Sequence, residues 1–385
     1  MRIIIAGGGT AGHIYPGIAL AKRLLKKQVG VEILFIGTEK GMESRIIPQE
    51  GFQIEFIRVS GFQRKLGPAF FSSFQKMFDG YADAKAIIKR FQPDVVIGMG
   101  GYVCGPVLFC ASRMKIPTLI HEQNSIPGVT NKLLARFVDT VCISFEESRQ
   151  FFKSARYVSL TGNPVRDELL TVNRKECREK MNLSVGDRLV VVMGGSLGAE
   201  KINETMVSLI QNFYQSPTQV GQFSNQVKGY RLLFATGEGR YESVQAQFAA
   251  SPVPDGVEIR SFIHDVAEVY AAADLIICRA GAITLSELAV MGLPSILIPS
   301  PNVTANHQEK NALTFQRKGA AFLLLENNLS AAVLSETIHD MLETPAILAR
   351  MSQNAFAIAK PGAVNQIMEE VMALKRNGRY RKSQK

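Results

Sequence analysis

Met1-Arg2-Ile3-Ile4-Ile5-Ala6-Gly7-Gly8-Gly9-Thr10-Ala11-Gly12-His13 opens the chain with a short apolar run that breaks into glycines, and residues 16–27 follow in a helical pattern. A β-branched run bounded by glycine reads as a buried strand, and strand, glycine loop and helix in succession begin a parallel sheet covered by helices. The same grammar restarts at residues 188–193, which run into Gly194-Gly195-Ser196-Leu197-Gly198-Ala199. Further strands are expected at 32–37, 95–97 and 118–121 in the first half, and at 231–235, 257–260, 275–278 and 295–298 in the second. The fold class is therefore α/β, with two Rossmann-like doubly wound domains. The boundary is set at 163/164, because the residue before Pro164 favours an extended linker. At the end of the chain Val364, Ile367, Val371 and Leu374 recur at helical spacing, giving a helix with one buried face.

Composition removes several classes. The 385 residues are 46% hydrophobic and 20% charged, so the chain has material for more than one core and is neither disordered nor low-complexity. Its five cysteines, at 104, 110, 142, 177 and 278, include no CxxC pair, which supports neither a disulfide framework nor a zinc knuckle. The N-terminal apolar run is too short for the core of a signal peptide, and the mature chain is expected to start there. Residues 95–112 lack charge but contain Gly98, Gly100, Gly101, Gly105 and Pro106, so they divide into strand, loop and helix rather than crossing a membrane.

The net charge of +10 is unevenly spread. Residues 1–163 carry 21 basic and 12 acidic side chains, residues 164–370 carry 17 and 22, and residues 371–385 carry 6 and none. A basic excess confined to one half and the tail suits an anionic partner, whether nucleic acid, a phosphorylated substrate or anionic lipid; solubilising surface charge is the plain alternative.

The first loop is a formal GxGxxG between strand and helix, which by itself proposes a dinucleotide site with backbone N–H groups facing a pyrophosphate. The acidic residue that such a site wants after the second strand is not clean: Glu39 comes late and Glu32 early. The dinucleotide reading also leaves His13 unexplained. A histidine beside a phosphate loop suits a general base, since its cation sits poorly at a helix N-terminus. Gly98-Met99-Gly100-Gly101-Tyr102 and Gly194 to Ala199 repeat the glycine-loop logic, either as anion sites or as tight strand-to-helix turns. In Arg279-Ala280-Gly281-Ala282-Ile283-Thr284-Leu285-Ser286-Glu287, small residues let a ligand approach the backbone. Glu287 there can accept two hydrogen bonds from a ribose diol, or simply favour the helix dipole. No metal-ligand cluster and no GxxxxGK[ST] pattern occurs, so no metal and no cofactor is expected.

Taken together, Gly7 to His13 with Ile14-Tyr15-Pro16-Gly17, His121-Glu122-Gln123-Asn124, Gly162-Asn163-Pro164-Val165-Arg166, Gly194 to Ala199 and Arg279 to Glu287 resemble the MurG family. These are the transferases that move N-acetylglucosamine from UDP-N-acetylglucosamine to lipid I, forming lipid II in peptidoglycan synthesis. The resemblance spans nearly the whole chain. It implies a GT-B architecture, with a domain at 1–163 that faces acceptor and membrane, a donor domain at 164–361, and a helix at about 362–378 packed back on the first.

By matching position the resemblance implies His13 as catalytic base. Thr10, Ala11, Gly12 and Asn124 fall on the donor sugar, Arg166 and Ser196 on the diphosphate, and Ile263 on uracil. Ala282, Ile283, Thr284, Leu285, Ser286 and Glu287 fall on phosphate and ribose, Gln308 on the donor, and Gly9, Gly100, Gly101 and Tyr102 on the acceptor. Ala11 stands where the family often has glycine, and the surroundings of His307 are less typical. The implied acceptor is a lipid pyrophosphate, so Phe62, Lys65, Leu66 and Phe71 are expected to dock on an anionic membrane. The implied location is the cytoplasmic face of the bacterial plasma membrane, with other cell-wall synthesis proteins as partners and no nucleic acid. A UDP-N-acetylglucosamine 2-epimerase and a nucleotide-sugar-binding module are the alternatives.

Overall fold

The computed structural model describes residues 1–60, 68–195, 198–215, 230–250, 252–303 and 306–383, with backbone alone at 68–76, 213–215 and 377–383. The chain divides into two compact units, residues 1–165 with 360–385, and residues 166–359.

The first unit holds β1 (Arg2–Ala6), β2 (Glu32–Gly37), β3 (Gln53–Phe56), β4 (Val95–Gly98), β5 (Thr118–Glu122), β6 (Thr140–Ile143) and β7 (Val158–Leu160). They pair in parallel in the order β3-β2-β1-β4-β5-β6-β7. Side chains alternate between the faces of β1: Ile4 and Ala6 join one core, Ile3 and Ile5 the other. The second core also takes Val364, Ile367 and Val371 from the Ala363–Ser383 helix, which lies against the Ala11–Lys27 helix. Each of those three side chains is at most 7% exposed, so the last helix is an integral part of this unit.

The second unit holds β8 (Arg188–Met193), β9 (Tyr230–Ala235), β10 (Val257–Arg260), β11 (Leu275–Cys278), β12 (Ser295–Leu297) and β13 (Phe322–Leu323), paired in parallel in the order β10-β9-β8-β11-β12-β13. In both sheets the strand order reverses once, between β1 and β4 and between β8 and β11. Open α/β sheets bind ligands beyond the carboxyl ends of the strands at such switch points. The four segments that follow those strands are Gly7 to Thr10, Met99 to Tyr102, Gly194 to Ala199, and Arg279 to Gly281, the glycine-rich stretches of the sequence.

Two features depart from the sequence expectation. The first helix begins at Ala11 and contains Pro16, so His13 sits in its first turn and not in the loop before it. Four strands were not expected: β3, β6, β7 and β13. Three of them, β3, β7 and β13, are edge strands of two to four residues, and β6 is a four-residue run with no glycine after it. Residues 95–112 form β4, a turn and the Cys104–Arg113 helix; among the described residues no helix is long and apolar enough to cross a membrane.

A buried ion cluster ties the second unit's entry segment to its sheet. Asp274 receives Arg174 at 2.7 Å, Arg178 at 3.1 Å and the Leu189 amide at 2.8 Å, while Arg178 also donates to the Ala272 carbonyl. Removing a buried partner strands the opposite charge. Asp274→Ala is therefore expected to cost about 2–4 kcal/mol, less than a fully buried pair because Arg174 is half exposed. A urea midpoint unchanged from wild type would show the cluster to be stabilised by its carbonyl contacts alone.

Candidate active site

In the first unit the loop after β1 is folded around two side chains. His13 Nδ1 lies 3.0 Å from the Gly8 carbonyl and 3.2 Å from Thr10 Oγ1. A carbonyl only accepts, so the Gly8 contact places the proton on Nδ1, and Nε2 then carries the lone pair of the neutral ring. Below the loop Glu43 is fully buried, with Oε2 accepting from Gly9 N–H at 3.0 Å and Oε1 from Thr38 N–H at 3.0 Å and the Thr38 hydroxyl at 2.8 Å. The dinucleotide reading wanted an acid after β2. The acid that this structure supplies there is Glu43, and it is turned inward onto the glycine loop.

The glycines after β4 are dictated by the same ring and loop. A Cβ on Gly100 (φ +104°) would stand 2.5 Å from His13 Cδ2, and one on Gly101 (φ +84°) 2.5 Å from the Gly8 oxygen. Both positions combine a left-handed backbone with no room for a side chain. Tyr102 closes over Gly9, whose missing Cβ would lie 3.4 Å from the phenol ring. The structure thus brings Gly9, His13, Gly100, Gly101 and Tyr102 together, with Thr10 against the histidine and Ala11 and Gly12 on the same helical turn.

Behind them runs a buried polar network. His121 Nε2 lies 2.9 Å from the Gly162 carbonyl and 3.3 Å from the Ser144 hydroxyl, while Gln123 Nε2 donates to His121 Nδ1 at 3.1 Å and to the Met99 carbonyl at 2.7 Å. Burial pushes the His121 pKa down to about 4, so this ring is neutral. Glu122 receives Asn124 N–H, Gly128 N–H and Asn131 Nδ2, which fixes the loop that carries Asn124. Burial raises the Glu122 carboxyl above its ordinary range, against the pull of those hydrogen bonds.

In the second unit Glu287 lies on the second turn of the Ala282–Met291 helix, whose N-terminus opens at Gly281 beside the end of β11. The side chain is buried and its Oε1 stands 3.2 Å from Arg166 Nε, but that oxygen receives no directed hydrogen bond among the described residues. Burial drives the carboxyl up to about 7, and only the Arg166 guanidinium pulls it back. Arg166 and Glu287, expected on the diphosphate and the ribose respectively, are thus an ion pair before any ligand arrives. Gln308 Oε1 accepts from Ser300 N–H at 2.9 Å, which locks the loop after β12 to the His307–Arg317 helix. Ile263 is buried behind β10. Ile283, Thr284, Leu285 and Ser286 share the helix with Glu287, and the Ser286 hydroxyl donates back to the Ala282 carbonyl.

Ser196, Phe62, Lys65 and Leu66 lie outside the described residues, as does the Phe71 side chain. Sequence reasoning passed over Glu43 and Tyr270. The fully buried Tyr270 phenol packs near Glu287 and Arg166, and burial pushes its pKa well above the usual range. Among the described residues no group of three or more His, Cys, Asp and Glu side chains is arranged to hold a metal ion.

Two parallel doubly wound sheets in one chain, each with glycine turns at its switch point, are the architecture of the GT-B fold. Residues 3–143 match the glycosyltransferase family 28 N-terminal domain, and residues 189–367 its C-terminal domain. Over 377 residues the chain is 48% identical to the UDP-N-acetylglucosamine--N-acetylmuramyl-(pentapeptide) pyrophosphoryl-undecaprenol N-acetylglucosamine transferase of Acetivibrio thermocellus, covering 98% of this chain and 99% of that one. The protein of the same name in Halalkalibacterium halodurans is 43% identical over 95% of this chain and 98% of its own. The crystal structure of Acinetobacter baumannii MurG matches with a TM-score of 0.75 at 28% identity, covering 97% of this chain and 99% of that one. The chain belongs to glycosyltransferase family 28, within its MurG group. A UDP-N-acetylglucosamine 2-epimerase from Neisseria meningitidis, bound to UDP-N-acetylglucosamine, shares the fold at a TM-score of 0.64, with 14% identity over 97% of this chain and all of that one.

Proposed function

We propose that this chain transfers N-acetylglucosamine from UDP-N-acetylglucosamine to the 4-hydroxyl of the muramoyl sugar of lipid I, with inversion, to give lipid II. The observation that carries the chemistry is the His13 tautomer: Nδ1–H is spent on the Gly8 carbonyl, so Nε2 is the basic nitrogen at the β1/β4 switch point. The substrates follow from near full-length likeness to relatives that carry that name. His13 Nε2 takes the proton of the attacking hydroxyl as the new bond to the anomeric carbon forms and UDP leaves. Thr10, Ala11, Gly12 and Asn124 contact the donor sugar. Gly9, Gly100, Gly101 and Tyr102 hold the acceptor.

The first unit, residues 1–165 with 360–385, is the acceptor and membrane unit, and the second, residues 166–359, takes the donor. There Arg166 and Ser196 balance the charge that grows on the diphosphate. Residues 282–287 and Gln308 bind phosphate and ribose, and Ile263 meets uracil through its backbone. An epimerase needs an acid or base at carbon 2 of the sugar. Glu43 and Glu122 are both fully engaged with backbone and side-chain donors, which favours transfer. Incubation with labelled UDP-N-acetylglucosamine, with and without a lipid I analogue, tests the assignment. UDP release that depends on the acceptor supports it; free epimer or simple binding replaces it with one of the alternatives.

The enzyme works as a peripheral protein on the cytoplasmic face of the plasma membrane, where other cell-wall synthesis proteins are its neighbours. Phe62, Lys65, Leu66 and Phe71 are the proposed membrane residues, and the described part of the first unit exposes Met77, Phe78, Phe109 and Phe137, with the half-buried Tyr81 ring 6.1 Å from Phe109 and Phe109 edge-on to Phe137 at 5.1 Å between centroids. Lys132 Nζ lies 4.4 Å from the centroid of the Phe151 ring. Aromatic rings among cations suit an anionic bilayer surface. Phe109→Ser with Phe137→Ser is expected to weaken binding to phosphatidylglycerol vesicles, read by sedimentation, roughly 30-fold, at about 1 kcal/mol per ring withdrawn. Full retention would move the contact off this surface.

A further inference from the structure

One peptide group joins Glu43 to His13. The N–H of Gly9 donates to Glu43 Oε2 at 3.0 Å, and the C=O of the same peptide, that of Gly8, accepts from His13 Nδ1 at 3.0 Å. A carboxylate on the N–H end of an amide polarises it and increases the negative charge on its oxygen, because hydrogen bonds in a chain strengthen one another. The geometry points to Glu43 as the positioning residue of the catalytic base: its charge is relayed through the Gly8–Gly9 peptide to fix His13 with Nδ1 protonated and to stabilise the imidazolium formed during transfer. This deepens the assignment of His13 as base and rests on it.

The surroundings are built for such a relay. Glu43 is fully buried, yet its two oxygens accept three hydrogen bonds, all from the loops that follow β1 and β2. Three glycines make room for it: a Cβ on Gly8, Gly37 or Gly41 would fall 2.2–2.5 Å from its side-chain atoms. On the other side of the peptide, Gly101 is bare where a Cβ would strike the Gly8 oxygen, and Gly100 is bare where one would strike the imidazole. Both ends of the relay are thus kept close by backbone that tolerates no side chain.

In the reaction the acceptor oxygen forms its bond to the anomeric carbon while the bond from that carbon to the diphosphate breaks. The hydroxyl proton passes to Nε2. The proton on Nδ1 stays there, shared with the Gly8 oxygen, and the positive charge gathered on the ring faces the dipole that Glu43 has enhanced. A carboxylate in direct contact with Nδ1 would serve the same end. Here a backbone amide stands between the two, which lets the acid remain wholly buried.

The other titratable groups around the ring do not compete. His121, held near 4 by burial, and the Cys104 thiol under Gly100, pushed up to about 12 by burial, keep their charge states through the neutral range. The Tyr102 ring borders Gly9, 3.4 Å from where a Cβ would lie.

Glu43→Gln in the full-length enzyme preserves volume and an acceptor for Gly9 N–H while deleting the charge. The expected result is a fall of roughly three- to tenfold in kcat at neutral pH, from the loss of a charge-assisted hydrogen bond in the chain. The acid limb of the pH–rate profile should move to lower pH, with donor KM unchanged. In a His13→Ala background the same substitution should add no further loss. A limb that stays in place, or an equal loss without His13, overturns the relay.

Imidazole ¹⁵N spectra test it independently of turnover. In the wild-type protein they should report Nδ1–H at high pH, and the Gly9 amide resonance should titrate with the His13 midpoint. Nε2–H, or a Gly9 amide blind to His13, overturns the relay even if Glu43→Gln does not fold. If His13→Ala retains turnover, the base assignment fails instead, and the spectra still decide whether the relay exists.

Discussion

His13→Ala is expected to lower kcat by about 10²–10⁴-fold while UDP affinity stays within about twofold. General-base catalysis acts on the proton that leaves in the transition state, whereas the contacts proposed for the nucleotide lie in the second unit, at Arg166 and residues 282–287. The ring itself is gripped through Nδ1 by the Gly8 carbonyl and flanked by Gly100, so its removal leaves a cavity at the glycine turn but no orphaned charge. The acid limb of the kcat profile should vanish with it, since His121, held near 4 by burial, and Cys104, pushed up to about 12, keep their charge states across neutral pH. Single-turnover transfer to a lipid I analogue, measured beside calorimetric titration with UDP, separates the two effects. Lost UDP-N-acetylglucosamine binding with normal turnover of bound donor would reassign His13 to donor recognition.

Much of the fold could be read from the chain because buried parallel strands announce themselves. Residues 3–6, 95–97, 189–192 and 275–278 are apolar runs ending in small or polar residues, and no helix of such length competes with them. The glycine loops were equally legible, and the structure adds why they are glycine. At Gly100 and Gly101 the cause is the His13 ring and the Gly8 oxygen, at Gly8, Gly37 and Gly41 it is Glu43, and at Gly198 it is the Thr236 carbonyl, 2.2 Å from where a Cβ would lie.

What escaped were features whose meaning depends on long-range contact. Gln53 to Phe56 is a four-residue edge strand, too short for its alternation to stand out from the flanking loops. Glu43 looks like a surface acid at the start of a short helix until β1 and β2 bring its loop under Gly9. Arg166 and Glu287 are 121 residues apart, and nothing local marks them as partners. Pro16 misled in the other direction: proline favours a helical first turn, but here the helix starts five residues earlier, which moves His13 onto it.

Glu287→Gln carries the other large expectation, and it has two opposite signs. The folded carboxyl holds its proton up to about 7, whereas an unperturbed one releases it near 4.5. Between those values the folded state binds more protons than the unfolded one, so the contribution of this group to stability is greatest at low pH and is lost as pH rises through about 7. Glutamine removes that loss. At pH 8 the variant should be more stable by about 2–3 kcal/mol, an advantage that shrinks toward zero by about pH 4.5. Donor KM should rise roughly tenfold or more with kcat less affected, because a ribose diol donates to a carboxylate far better than to an amide, in ground and transition states alike. In the wild type the same logic raises donor KM as pH falls below about 7, where Glu287 takes up its proton. Urea midpoints at pH 5 and pH 8, set beside donor KM, check both arms. A variant less stable at pH 8 would mean that the Arg166 pair outweighs burial, and an unchanged KM would take the ribose away from Glu287. If both arms hold, the buried carboxylate is an acceptor kept ionised against its environment, and the ligand that supplies its missing hydrogen bonds is what relieves it.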